Sequence, residues 1–452
     1  MTSSGLLSAL SVSDAAAEAV SDRAWLQAML DFEAALARAE ARAGVVPAAA
    51  AEAIAECCDA GRFDGDAIGR DGRASATPVP PLVRALIAAV RERDEDAARY
   101  VHWGATSQDV LDTAAMLVAR RALDLILADL GGVASAAAAL AREHRETPMA
   151  GRTLLQQALP VTFGLKAAGW LVAVLDARRR LAAVRAEGLA VQLGGAAGTL
   201  ASLGSAGEAV LRELAAELEL GEPVLPWHTA RGRIGELAGA LAVAAGALGK
   251  IALDVILLAQ TEVGEVAEPG GGGRGGSSTL PHKRNPAGAV RAAAAARRVP
   301  ALAATLLAAM PQEHERAAGA WQAEAETLGE ALALTGGAAA TMREVLEELE
   351  VHPGRMRENL DATGGLLLAE RVTMAVAERV GRLEAHGAVE AACKRVAAGG
   401  GSLRDELLAE GAVAAHLSPA ALDELLDPSG YLGSAGAFVE RALAAYEREE
   451  TA

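Results

Sequence analysis
The segment best equipped for chemistry is 270–286. Six of the seven positions 270–276 are glycine, and Ser277, Ser278, Thr279, His282, Lys283, Arg284 and Asn285 follow before Pro286. Hydroxyls, backbone N–H groups and cations on one pliable segment, ahead of a helix that Pro286 can open, attract an anion and can lower the pKa of a nearby serine. No Gly-Lys-Ser/Thr follows the glycines, so this is not a nucleotide-binding P-loop. A second polar cluster is His102 followed by Thr106-Ser107-Gln108-Asp109, whose last four residues have the form of a capping box and place a helix start. Arg316, in His314-Glu315-Arg316, is read as a helix-borne arginine suited to clamping a carboxylate. His282, beside the lysine, reads as a surface residue. His144, His228, His352, His386 and His416 have no metal-site spacing, so no metal is expected.

Helices must position these residues. Alanine is the commonest residue, aromatics are 3%, and β-branched runs are scarce, which favours closely packed helices over sheets and an all-α fold. Ile234, Leu237, Leu241, Ala244, Leu248, Ile251, Val255 and Leu258 recur at 3-4 spacing, which predicts a bundle helix over 231–268, stopped by Pro269. At 1.5 Å per residue it would be about 57 Å long, a rod suited to a bundle shared between subunits. The seam runs on into Glu262 and Glu265, expected to pair at an intersubunit contact or loop hinge. Another helix is predicted from Thr106 to about His144, the first hundred residues read as short helices broken by turns, and Pro300 reads as a kink. These breaks suggest three domains: 1–108, a long-helix domain 109–352 carrying the glycine-rich loop 269–286, and a small helical domain 353–452.

The formal net charge is −17, from 59 acidic and 42 basic side chains, with lysine only at positions 166, 250, 283 and 394. So acidic a chain is a poor nucleic-acid binder, although a small anion could still be held by a local cationic pocket. Cys57, Cys58 and Cys393 form neither a disulfide framework nor a zinc site, which fits a reducing cytoplasm. No signal peptide is read at the N-terminus, and the charge-free stretch 188–207 is too rich in Gly, Ser, Thr and Gln to be read as a membrane span.

Residues 276–286 closely resemble the signature segment of the aspartase/fumarase superfamily, with Leu280 in place of the usual methionine. Three further segments resemble that family in order: 102–109, 151–160 and the glycine-rich 193–199. The resemblance implies a homotetramer with a long helical core, active sites built from three subunits, and chemistry at the carbon next to a carboxylate. Ser277 would be the proton donor, with Lys283, Asn285 and loop amides stabilising its alkoxide or the substrate. His102, Thr106, Ser107, Thr153, Gln156, Thr199 and Ser278 would contact substrate carboxylates, with no redox cofactor or metal required.

One departure is informative. Most members carry histidine where this chain has Leu154. Leucine cannot protonate a departing amine or hydroxyl, whereas a carboxylate, with a conjugate-acid pKa of about 4, leaves unaided. The Thr-Ser-Gln-Asp form and the Leu-Leu-Gln-Gln-Ala-Leu-Pro-Val run also look most like the lactone-forming, muconate-cycloisomerase branch of that superfamily, and this resemblance implies a tricarboxylate substrate. The alternatives are a C–N lyase resembling adenylosuccinate lyase and a non-catalytic relative. The latter sits poorly with Ser277, Lys283 and Asn285 being present together.

Overall fold
The 3-4 apolar seam forms the helix Gly232–Leu258, and Ile234, Leu237, Leu241, Leu248, Ile251 and Val255 along it are all buried. In this computed structural model, which describes residues 6–270, 275–276, 279–280 and 282–451, the helix ends ten residues before the predicted end. Its 27 residues span about 40 Å. Beyond it, Val263 and Gly264 N–H both donate to the Gln260 carbonyl, and Glu265 N–H returns to Leu258. Val266–Ala267 then pair antiparallel with Glu350–Val351. The 3-4 spacing persists to Glu265 in sequence, but polar tertiary contacts fix that residue.

The chain divides into two compact units. The first comprises Met1–Gly131, Asp176–Lys250 and Arg291–Met342; the second comprises Gly132–Leu175, Ile251–Val290 and Arg343–Ala452. The long helices Ser107–Glu143, Phe163–Ala183, Gly232–Leu258, Ala287–Ala308 and Glu324–Glu347 give residues to both. The first of these matches the helix predicted from Thr106, and Ala287–Ala308 passes through Pro300 as one helix. Two helices, Ser107–Glu143 and Gly232–Leu258, are long and apolar enough to cross a membrane by length and composition. Their faces nevertheless pack within the protein: Val110, Ala114, Leu123 and Leu130 are as buried as the seam residues.

In the first unit, the helix Asp22–Arg42 is longer than the short segments expected there. Ser21 caps it by accepting from Ala24 N–H, and it packs on Ala48–Ala55 and Gly207–Leu218. Its buried face reads Leu26, Leu30, Glu33, Leu36, Ala37 and Glu40, so two carboxyls sit in core register. In the second unit, Pro148–Thr153 and Gln156–Thr162 form an antiparallel hairpin against the helix Pro353–Asp361. Nearer the C-terminus, Val372, Val376, Val389, Leu403, Leu407 and Leu422 close a core of their own. The chain is thus helical apart from two small two-stranded sheets among the described residues.

Glu40 is fully buried, and neither carboxyl oxygen has a hydrogen-bond partner. Desolvation, reinforced by Glu33, pushes its pKa up from an ordinary value of 4.5 to about 9. Between those values the folded chain keeps a proton that the unfolded chain loses, so stability falls as pH rises across the window. Glu40→Gln, which cannot ionise, should therefore flatten the fall in Tm from pH 5 to pH 9 and raise Tm at pH 8. Thermal melts of both proteins across that range test this; parallel curves would contradict it.

Candidate active site
In the first unit, the polar segments are organised around Asp109, in the first turn of the helix Ser107–Glu143. Its carboxylate accepts from Thr106 N–H at 3.0 Å, which is the backbone half of the expected capping box. It also accepts from Gly194 N–H at 3.0 Å and Gly195 N–H at 2.9 Å, and pairs with His228 Nε2 at 2.7 Å. One buried side chain thereby ties the helix start to the glycine-rich segment 193–199, on which Thr199 is exposed. Beneath it, the Arg231 guanidinium is bonded to both oxygens of Asp112 (2.8 and 2.9 Å) and to Glu324, and Trp321 Nε1 donates to Asp112. Burial raises the Glu324 pKa against the pull of Arg231, while Asp112 and Glu324 hold the guanidinium firmly charged.

His102 and Thr106 enter that helix from a turn in which His102 has φ 59°. His102 Nδ1 lies 2.7 Å from Glu33 Oε1. Burial alone would lower the imidazole pKa, but the charge and hydrogen bond of Glu33, with Asp109 adding, raise it overall. Arg316 donates to Thr106 Oγ1 at 2.8 Å. It sits on the loop between Ala287–Ala308 and Glu324–Glu347, not on the expected helix. There His314 takes φ 46°, and its carbonyl is held by the Thr229 hydroxyl. The strained loop backbone brings Arg316 to Thr106, an arrangement helical spacing would not provide. The first unit therefore brings His102, Thr106 and Arg316 to the start of the Asp109 helix, with Ser107 in its first turn and Thr199 on the segment whose Gly194 and Gly195 the Asp109 carboxylate holds.

The second unit carries the remaining candidates. Thr153 and Gln156 pair directly across the hairpin, so Leu154 and Leu155 are its two-residue turn, at φ 51° and 66°. Such a turn favours Asn-Gly, and two leucines there are strained. Both are solvent-exposed, Leu154 at 97%. Below the tip, Arg152 makes a bidentate pair with Glu265 (2.8 and 2.9 Å), and Asn359 Nδ2 adds a bond at 2.8 Å. Glu265 thus pairs within the chain and anchors the hairpin base, whereas Glu262 is exposed.

At the glycine-rich loop, Asn285 donates to the Gly275 carbonyl through both its backbone N–H (2.8 Å) and its side-chain amide (3.0 Å). Asn285 thus fastens the loop neck, and a Cβ at Gly275 (φ 64°) would sit 2.4 Å from the Asn285 carbonyl oxygen. Lys283 and His282 are exposed, and Arg284 is bound to Glu350 at 2.7 Å. Glu268 caps the helix Ala287–Ala308, accepting from Gly288 and Ala289 N–H, so the helix starts one residue after Pro286. Ser277 and Ser278 lie outside the described residues. Among the described residues no cluster of His, Cys, Asp or Glu could hold a metal ion.

Two features escaped the sequence reading. Glu33 carries a signal in retrospect, because a carboxyl occupies an apolar register position seven residues from another. The hairpin carried none, since Leu-Leu is not turn chemistry.

The family model described as Lyase matches residues 10–301, and that described as Adenylosuccinate lyase C-terminus matches residues 365–442. The chain is 52% identical to a 3-carboxy-cis,cis-muconate cycloisomerase of Bradyrhizobium diazoefficiens over 99% of each chain. It is 49% identical to a nitrosuccinate lyase of Streptomyces davaonensis over 98% of this chain and 95% of that one. The solved 3-carboxy-cis,cis-muconate lactonizing enzyme of Pseudomonas putida superposes with a TM-score of 0.93 at 48% identity, covering 98% of this chain and 99% of that one.

Replacing Asp109 by alanine would strand two buried amides and His228. A loss of about 3–5 kcal/mol is expected, in the range for breaking a buried charged pair. Urea unfolding measures it; a loss below about 1 kcal/mol would show that Asp109 does not hold these segments together.

Proposed function
The chain belongs to the lyase family of the aspartase/fumarase superfamily, and on that premise we propose that it closes 3-carboxy-cis,cis-muconate to 4-carboxymuconolactone, a step of protocatechuate catabolism. The observation that carries this reading is 52% identity to a cycloisomerase across 99% of both chains. The hairpin tip supports it chemically. Leu154 offers no proton, and a carboxylate leaving group in the reverse reaction needs none.

In the forward direction a substrate carboxylate oxygen attacks the conjugated alkene and forms the C–O bond of a five-membered lactone. The displaced electron pair moves onto the carbon next to a second carboxylate and spreads into it as an aci-carboxylate. Ser277, by its place in the signature segment, then delivers a proton to that carbon and is reprotonated from solvent. The substrate supplies its own proximity, so the protein's task is to stabilise the accumulating charge. Lys283 and the loop amides serve that role, with Asn285 holding the loop neck. Ser278 joins the contacts to substrate. His102, Thr106, Ser107, Thr199 and Arg316 receive carboxylates, as do Thr153 and Gln156 from the hairpin. The working form is a homotetramer whose sites draw on three subunits, and the exposed hairpin tip is consistent with that. Three free cysteines agree with a cytoplasmic location.

A second reading is elimination from nitrosuccinate, favoured by the 49% full-length identity to a nitrosuccinate lyase. Release of an anion there would equally tolerate Leu154. Ultraviolet loss of the muconate diene, measured beside fumarate release from adenylosuccinate and turnover of nitrosuccinate, separates the readings. Diene loss is expected, and Ser277→Ala should slow it by about 10²–10⁴-fold, the range for a positioned proton donor. Turnover of either other compound without diene loss would defeat the cycloisomerase assignment.

A further inference from the structure
The molecule has several histidine–polar contacts, and one differs from the rest. His228 and Asp109 are both buried, and the carboxylate is satisfied by three backbone amides as well, which is the pattern of a structural pair. His144 packs edge-on against Phe163 beside Thr147, and burial lowers its pKa. His102 instead keeps part of its ring open to solvent, while its partner Glu33 is 1% exposed. Nδ1 is engaged by Glu33, so Nε2 is the ring's remaining donor.

Two local costs converge on this contact. Glu33 Oε2 is buried without a hydrogen-bond partner, so the carboxylate's one strong contact is the imidazole. An apolar residue at position 33 would be the better choice for stability alone. The backbone of His102 is left-handed, and two residues on, Gly104 (φ 74°) is wedged where a Cβ would lie 2.5 Å from Leu203 Cδ2. Strain of this kind persists where the surroundings enforce it and clusters at functional sites. Four residues beyond His102, the Thr106 hydroxyl accepts from the Arg316 guanidinium, which brings a second cation to the same short segment from a distant loop.

We propose that Glu33 is a positioning residue that fixes the His102 imidazole as a cationic receptor for a substrate carboxylate, with Nε2–H as the donor. This rests on the proposed tricarboxylate substrate. The charged groups facing the ring are Glu33 from the helix Asp22–Arg42 and Asp109 from the helix Ser107–Glu143. Both favour the protonated ring, while the buried Glu40, kept neutral seven residues from Glu33, adds no charge of its own. An imidazole held this way binds a carboxylate by a charge-assisted hydrogen bond.

The test is steady-state kinetics by diene loss on the full-length protein. Glu33→Gln should raise KM at pH 7.5 at least tenfold while kcat falls less than about threefold. Glu40→Gln, on the same buried face, should leave both unchanged and so controls for general disturbance of the helix. Combining Glu33→Gln with His102→Gln should raise KM no further than His102→Gln alone. Unchanged KM in Glu33→Gln, or additive effects in the double variant, would overturn the assignment. The unaltered protein gives a second measurement that needs no variant to fold. Its KM should stay flat through pH 6.5, the ordinary histidine value, and rise only above it; a rise centred at or below pH 6.5 would overturn the proposal. If the unaltered protein consumes no diene at all, the substrate reading fails instead, and the two failures are distinct.

Discussion
Four hydrogen bonds meet at the Asp109 carboxylate, and the first unit's polar segments are arranged by them. Thr106, Gly194, Gly195 and His228 come from three stretches of sequence, and none could be held in place by its own local conformation. Glycine-rich backbone lacks side chains to pack and offers only N–H groups as handles. A buried acceptor at the start of a 37-residue helix fixes those handles to the most rigid element nearby. The same helix carries Asp112 one turn later, so a second buried network with Arg231, Glu324 and Trp321 begins where the first ends. The loops proposed to meet substrate are thus tied to the first unit's helices through buried carboxylates, where removing one partner is costly.

The second unit solves the same problem with Glu265. It receives Arg152 from the hairpin and Asn359 from the helix Pro353–Asp361, so the strained Leu154–Leu155 tip projects from a well-braced base. Bracing the base while straining the tip fits a segment that must present a fixed shape. Leucine at that tip also fits the proposed reaction: an apolar side chain cannot move a proton, which suits a leaving group that departs as a stable anion.

The chain's global charge and its local chemistry point in opposite directions, and both are physical. A net charge of −17 disfavours long polyanions, whose binding depends on many phosphate contacts. A tricarboxylate needs only a few well-placed donors. In the proposed site of the first unit, His102 and Arg316 would meet that need locally, because each is held by a specific side-chain contact and not by the average field.

Sequence alone determined what depends on short-range pattern. The 3-4 seam gave the bundle helix, Thr106 to Asp109 gave a helix start, and Pro286 fell one residue from another. That position 154 carries leucine, which has no proton to give, is legible because residue identity needs no coordinates. Tertiary structure decided everything resting on contacts between distant residues. Glu33 and His102 are 69 positions apart, Asp109 and His228 are 119 apart, and Arg152 and Glu265 are 113 apart. Spacing along a chain reports which residues share a helix face, but not which opposing face supplies a partner. For the same reason the apolar seam outruns the helix in sequence. Glu262 and Glu265 kept the helical interval, yet the helix ended at Leu258, because a buried carboxylate goes where its cationic partner lies.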